Sequence, residues 1–196
     1  MNKYWIVFKK SLKSETIYRA ATLSGVAGSL LGFFMQVFLW KALLGAGVRQ
    51  GTSFSDMLLY VIINSFMLEL TRTNVAAIIE NSMIDGTISM ELLRPMSYKT
   101  YLLTSALGKN TYGTLTRTIP VLIISAFFVK GVSIPDLHSF LLFVVSAFLG
   151  ILLMFEVTYL AGLLAFWLQR CWFIEFYLTG FERIFGGTMV PIWFYP

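Results

Sequence analysis

Ser139-Phe-Leu-Leu-Phe-Val-Val-Ser-Ala-Phe148-Leu-Gly-Ile-Leu-Leu-Met-Phe155-Glu156-Val-Thr-Tyr-Leu160-Ala-Gly-Leu-Leu-Ala-Phe-Trp167-Leu168 carries one charge, Glu156, in a run longer than a bilayer is thick. A hydrocarbon core of about 30 Å takes roughly 20 mostly apolar residues as a helix. This stretch is therefore a membrane span, and the rest of the chain follows it. Of 196 residues, 57% are hydrophobic, 16% aromatic and only 13% charged. The mean hydropathy of +0.75 lies outside the range of soluble domains. Further apolar segments near 21–45, 55–79, 104–129 and 172–195 bring the expected spans to five. Their length implies helices rather than barrel strands. The expected fold class is an all-α integral membrane protein in which residues 1–196 form a single transmembrane domain, with no space for a separate soluble one.

Outward from these spans, residues 1–19 are neither a signal peptide nor a span, because Lys3, Lys9, Lys10, Lys13 and Arg19 interrupt the apolar positions. At 100° per residue, Tyr4, Trp5, Val7, Phe8 and Leu12 share one face and Lys9, Lys10 and Lys13 the other, with Ile6 the exception on the polar side. This pattern predicts an interfacial helix in the headgroup plane. The net charge of +5 accordingly marks a membrane face rather than a nucleic-acid site. Nine Lys and Arg (Lys3, Lys9, Lys10, Lys13, Arg19, Arg94, Lys99, Lys109, Arg170) fall on one side and three (Lys41, Arg49, Lys130) on the other. By the positive-inside rule the N-terminus, the 80–99 connector and the Arg170 turn are cytoplasmic, and the segment 186–196 is outside. That segment, with Gly186, Gly187, Pro191, Trp193 and Tyr195, reads either as a re-entrant piece or as a frayed helix end in the aromatic belt.

The connector spends much of the chain's scarce charge in one loop, Glu80-Asn-Ser-Met-Ile-Asp85-Gly86-Thr87-Ile88-Ser-Met-Glu91-Leu92-Leu93-Arg94-Pro95-Met-Ser-Tyr-Lys99. Gly86 can end one helix, Thr87 can cap the next, and Pro95 turns Arg94 out of helical geometry. A short docking helix is expected over 88–93, with Ile88, Leu92 and Leu93 on one side and Glu91 on another.

Within the spans lie Glu69, Arg72, Arg117, Glu156, Glu175, Glu182 and Arg183. Each must face protein, water or an opposite charge. Glu69 and Arg72 are spaced to pair along one helix. Glu182 and Arg183 point in different directions, with Arg117 and Glu156 available by sign. These groups read either as structural pairs or as a polar lining for a translocation path. Gly25, Gly28 and Gly32 form a small-residue stripe suited to a close helix approach. Catalytic signatures are missing: there is no phosphate loop and no His-Glu-x-x-His, and the one histidine, His138, sits in a loop beside Asp136. The single Cys171 excludes an internal disulfide or a multi-cysteine metal cluster.

The run Ile84-Asp85-Gly86-Thr87-Ile88-Ser89, followed by Leu92-Leu93-Arg94-Pro95 and then Tyr98 and Tyr101-Leu102, resembles the cytoplasmic connector of ABC-2-type transporter permeases. It is closest to the small bacterial permeases that carry no ATPase of their own. The basic start with Tyr4 and Phe8, the Tyr18-Arg19 pair, Trp40, Gly187 and Pro191-Ile-Trp-Phe-Tyr-Pro196 extend the resemblance along the chain. It implies a non-catalytic exporter subunit of the bacterial cytoplasmic membrane, with its N-terminus in the cytosol. It also implies a coupling role for Asp85 to Pro95 against a separate cytoplasmic ABC ATPase, which would bind the ATP and Mg, so that this chain holds no cofactor. A second permease subunit, identical or different, would complete the exporter. The resemblance further implies a sixth span, for which the chain up to Pro196 has no segment, so a shortened polypeptide is expected. Two other classes fit the residues alone: a gradient-driven carrier or channel using the intramembrane Glu and Arg residues, and a membrane scaffold recruiting a soluble partner through the connector.

Overall fold

The computed structural model describes residues 3–45, 53–128, 136–168, 170 and 172–194. Arg49, Lys130, Cys171 and Tyr195 to Pro196, invoked above, lie outside the described residues. Among the described residues every regular element is helical: α1 Lys3–Ile17, α2 Arg19–Gly45, α3 Phe54–Thr71, α4 Val75–Ile84, α5 Ile88–Leu92, α6 Tyr98–Gly113, a π-helical turn Thr114–Thr118, α7 Ile119–Phe128, α8 Leu137–Leu163, α9 Ala165–Leu168, α10 Trp172–Phe185 and a 3₁₀ turn Ile192–Phe194.

Three stretches have the length and composition to cross a membrane: Arg19–Gly45, Phe54–Ile84 and Leu137–Leu168. Their surfaces confirm the solvent they need. On α2, Phe33, Val37 and Trp40 are buried on one stripe, whereas Leu23, Leu31, Met35 and Phe38 are exposed. On α8, Leu141, Leu142, Val145, Phe148, Leu149 and Leu153 are likewise exposed. Patches of this extent are unsustainable in water and at no cost against lipid tails. The chain is a multi-pass membrane protein.

The segments expected at 104–129 and 172–195 differ from a simple span. The first is a continuous helical run from Tyr98 to Phe128 that widens into the π turn. Pro120 explains the widening: it has no N–H to offer the carbonyl four residues back, and its ring crowds that carbonyl, so the turn before it opens. The second ends early. Helix α10 has 14 residues, about 21 Å of length, and Gly187 then takes a left-handed conformation, φ 77°. The helix gives way at the glycines that the sequence marks as breaking its continuity, and the described chain beyond it is irregular up to the 3₁₀ turn Ile192–Phe194 that follows Pro191. The second span is also broken, with residues 72–74 nonhelical between α3 and α4.

Contacts divide the chain into two units, Met1–Ser11, Thr71–Gly108 and Phe148–Pro196 in one, Leu12–Leu70 and Lys109–Ala147 in the other. In the first, α4, α6 and α8 share a core of Val75, Ile79, Leu102 and Phe155, flanked by Ile78, Tyr98, Tyr101 and Tyr159. Gly162 of α8 lets α4 approach so closely that a methyl there would lie 2.7 Å from Ile79 Cδ1 and 2.9 Å from Ala76 Cα. In the second unit, α2 packs against the π turn and α7. Gly25 receives Arg117, while Gly28 and Gly32 of the same stripe have open space beside them.

Candidate functional site

The connector is built on the end of α4. Its last turn closes with Asp85 N–H donating to the Asn81 carbonyl at 2.9 Å and Gly86 N–H to that of Met83 at 3.1 Å. Gly86 then reverses the chain at φ 69°, a left-handed value that costs a side-chain-bearing residue about 1–2 kcal/mol. Helix α5 has five residues, one turn, ending at Leu92 rather than Leu93. The expected Thr87 cap is not formed. Thr87 has helical backbone angles, and its hydroxyl donates back to the Ser82 carbonyl at 3.3 Å.

A single turn is too short to be stable alone, so its shape is imposed by its attachments. The Ser82 hydroxyl donates to Glu91 at 3.3 Å. The Arg94 guanidinium lies over the Tyr101 ring at 4.8 Å, and the Pro95 carbonyl accepts from Lys3 Nζ at 2.7 Å.

These attachments sort the side chains of α5. Ile88 turns inward beside Glu91, not outward with the leucines. Outward stand Met90, Leu92 and Leu93, exposed by 68%, 54% and 83%. Met90 was not singled out from the sequence. The signal was the i, i+3 spacing of Ile88 and Glu91, which marks the inner side of one turn and leaves Met90 outside. Asp85, Gly86, Thr87, Arg94 and Pro95 are all exposed around this knob.

The intramembrane charges find partners other than those expected by sign. Arg117, swung out by the π turn, donates to Glu69 at 2.6 Å, both side chains largely buried. Arg72 lies one residue beyond α3, which ends at Thr71. Glu156 pairs with Lys99 at the end of the connector, 2.7 Å, rather than with α10. Glu182 accepts from the Thr71 hydroxyl at 3.3 Å, and Glu175 accepts from the Ala77 backbone N–H. Arg183 is exposed on α10, and its carbonyl accepts from the Thr188 hydroxyl.

Glu175 and Glu182 lie on either side of the break at residues 72–74, the first at the Ala77 backbone and the second at the Thr71 hydroxyl. A helix interrupted in a membrane frees backbone groups that must be satisfied by protein. Glu175 meets the first turn of α4, whose positive dipole end favours a carboxylate. Val75 N–H donates to Thr73 Oγ1 at 3.3 Å, and Thr158 of α8 donates to the same hydroxyl at 3.4 Å. At the other end of the break, Asn110 Nδ2 donates to the Leu70 carbonyl at 2.7 Å.

Residues 30–196 match the family model described as ABC-2 family transporter protein. No curated protein and no solved structure matches the chain. The match takes in every membrane-length helix in whole or in part, the connector and the broken second span. Together with the lipid-facing surfaces it establishes that the chain belongs to the ABC-2 family of transporters.

Proposed function

We propose that this chain is the non-catalytic, membrane-spanning permease subunit of an ATP-driven exporter in the bacterial cytoplasmic membrane, and that Asp85 to Pro95 form the surface on which a separate cytoplasmic ABC ATPase docks. ATP and Mg belong to that ATPase, and a second permease subunit, identical or different, completes the pair. The carrying observation is the knob of Met90, Leu92 and Leu93, apolar and exposed in the most charged loop of the chain. Lipid does not explain such exposure in a charged connector, whereas a partner with a matching pocket does.

In this reading the knob acts as a handle. It is joined through short turns to α4 and α6, which share one core with α8. Closely packed cores transmit displacement rather than absorb it, so force on the knob reaches these helices as rigid-body motion. In the same reading the run from Tyr98 to Phe128 and α10 bring the spans to five, and the chain after α10 is either a re-entrant piece or a frayed helix end at the interface. An amphipathic substrate would suit a lining drawn from a chain that is 16% aromatic.

The experiment is Leu92→Asp and Leu93→Asp. Both positions are exposed, so insertion and folding should be unaffected. ATPase association should fall at least about tenfold, the scale of losing one apolar anchor, or hydrolysis should continue without export. Unchanged association and flux in both variants would sink the assignment. Association without any nucleotide-dependent flux, in the unmodified protein, would favour a scaffold. A gradient-driven carrier has its own support in the broken second span held by Glu175 and Glu182, a form in which transporters build ion sites. It requires ion-dependent flux with no ATPase present.

A further inference from the structure

Helix α1 presents two faces, and the division is not the one that its apolar pattern suggests. Tyr4, Val7, Phe8 and Leu12 are half-buried, and Ser11 shares a hydrogen bond with Ser105 of α6 at 2.9 Å. This side packs on protein. The exposed side carries Lys9, Lys10 and Lys13 with Trp5, Ile6 and Ile17 between them. Ile6 is therefore no anomaly: it lies among the lysines on the outer face. Trp5 stacks on Phe8 at 5.3 Å, and Lys9 Nζ sits 5.2 Å from the Trp5 ring. The helix's one acid, Glu15, lies on the half-buried side.

Only Tyr18 separates α1 from α2, a membrane-length helix beginning at Arg19, so α1 is confined to the neighbourhood of a bilayer surface. Lysines interleaved with Trp and Ile on one face suit the headgroup layer, where apolar bodies sink and ammonium groups rise to the phosphates. The same helix grips the connector. Lys3 Nζ donates to the Pro95 carbonyl, and Ser11 meets Ser105 one helix farther on.

We infer that the outer face of α1 is a docking surface for anionic lipid headgroups, and that this docking steadies the connector through Lys3 and Ser11. Membrane charge would then set how firmly the 86–96 segment is held, whatever soluble partner that segment meets. This inference is independent of the ATPase assignment.

The test is amide hydrogen exchange on the full chain in lipid nanodiscs of phosphatidylcholine alone or with about 30 mol% phosphatidylglycerol. With the anionic lipid, exchange in α1 and in residues 86–96 should slow by about tenfold. Raising salt to about 0.5 M should reverse the effect, because exposed charges are then screened within a few ångströms. The triple variant Lys9→Gln, Lys10→Gln, Lys13→Gln, changing exposed side chains only, should not respond to lipid. The double variant Lys3→Met, Ser11→Ala should keep the response in α1 and lose it in the connector. Equal exchange of the unmodified chain in both lipids would overturn the proposal, leaving the lysines to water or to an acidic soluble partner. A triple variant that still responds would overturn the lipid contact, and a connector that still follows lipid charge in the double variant would overturn the grip.

Discussion

At the residue scale, the contact between Glu69 and Arg117 shows how far partners within a membrane can lie from each other in sequence. The two are 48 positions apart, and what brings them together is the widened turn ahead of Pro120. The sequence showed that each charge needs a partner, but the direction of a side chain in a π turn follows no regular periodicity. Removing one member strands the other. Arg117→Met should therefore lower stability by up to about 3 kcal/mol, the lower end for breaking a buried pair. Combining it with Glu69→Gln should recover much of that loss, since no bare carboxylate then remains. Thermal unfolding of the four proteins in one detergent reads the coupling, and strictly additive losses would show that the pair does not act as a unit.

At the element scale, the two cases of interest are a helix that ends and a helix that breaks. Gly86 and Pro95 were legible as punctuation because their backbone limits are local, and the connector is bounded where they stand. The interruption at residues 72–74 was not legible. Arg72-Thr73-Asn74 contains neither glycine nor proline, and the apolar residues on both sides read as one span. Neighbouring elements surround the break: Glu175 of α10 and Asn110 of α6 meet backbone groups on either side of it, and Glu182 of α10 and Thr158 of α8 bond the hydroxyls of Thr71 and Thr73.

The approach of α4 to α8 at Gly162 belongs to the same scale. Gly162→Ala would drive a methyl against the Ala76 backbone and Ile79, and should cost about 1–3 kcal/mol as overpacking. Gly28→Ala on α2, with open space beside it, should cost nothing measurable or slightly stabilise its helix. A lower unfolding midpoint for Gly162→Ala alone is the expected result, and equal midpoints would remove the close contact from the account.

At the scale of the whole molecule the remaining question is which side of the membrane the connector occupies. The lysine and arginine count predicts the cytosol, the side that the docking reading requires. In a Cys171→Ser background, Met90→Cys should react with a membrane-impermeant maleimide in inside-out vesicles and resist it in right-side-out ones. The reverse pattern would place the knob outside and end the ATPase reading.

The sequence by itself determined that this is a helical membrane protein with a charged connector bounded by Gly86 and Pro95, and its resemblance pointed to the family that the match established. These are properties of composition, span length and local backbone limits, each legible within a window of a few tens of residues. Only the tertiary structure decided which side of α1 packs on protein, that Ile88 turns in while Met90 turns out, that Lys99 takes Glu156 and Glu69 takes Arg117, and that the second span breaks at residue 72. The physical reason is common to all four. Each depends on which polar or apolar group a distant segment brings within a few ångströms, and for the Glu69–Arg117 pair and the broken span, within membrane-length segments where water cannot supply the missing bond, that neighbour decides the local structure.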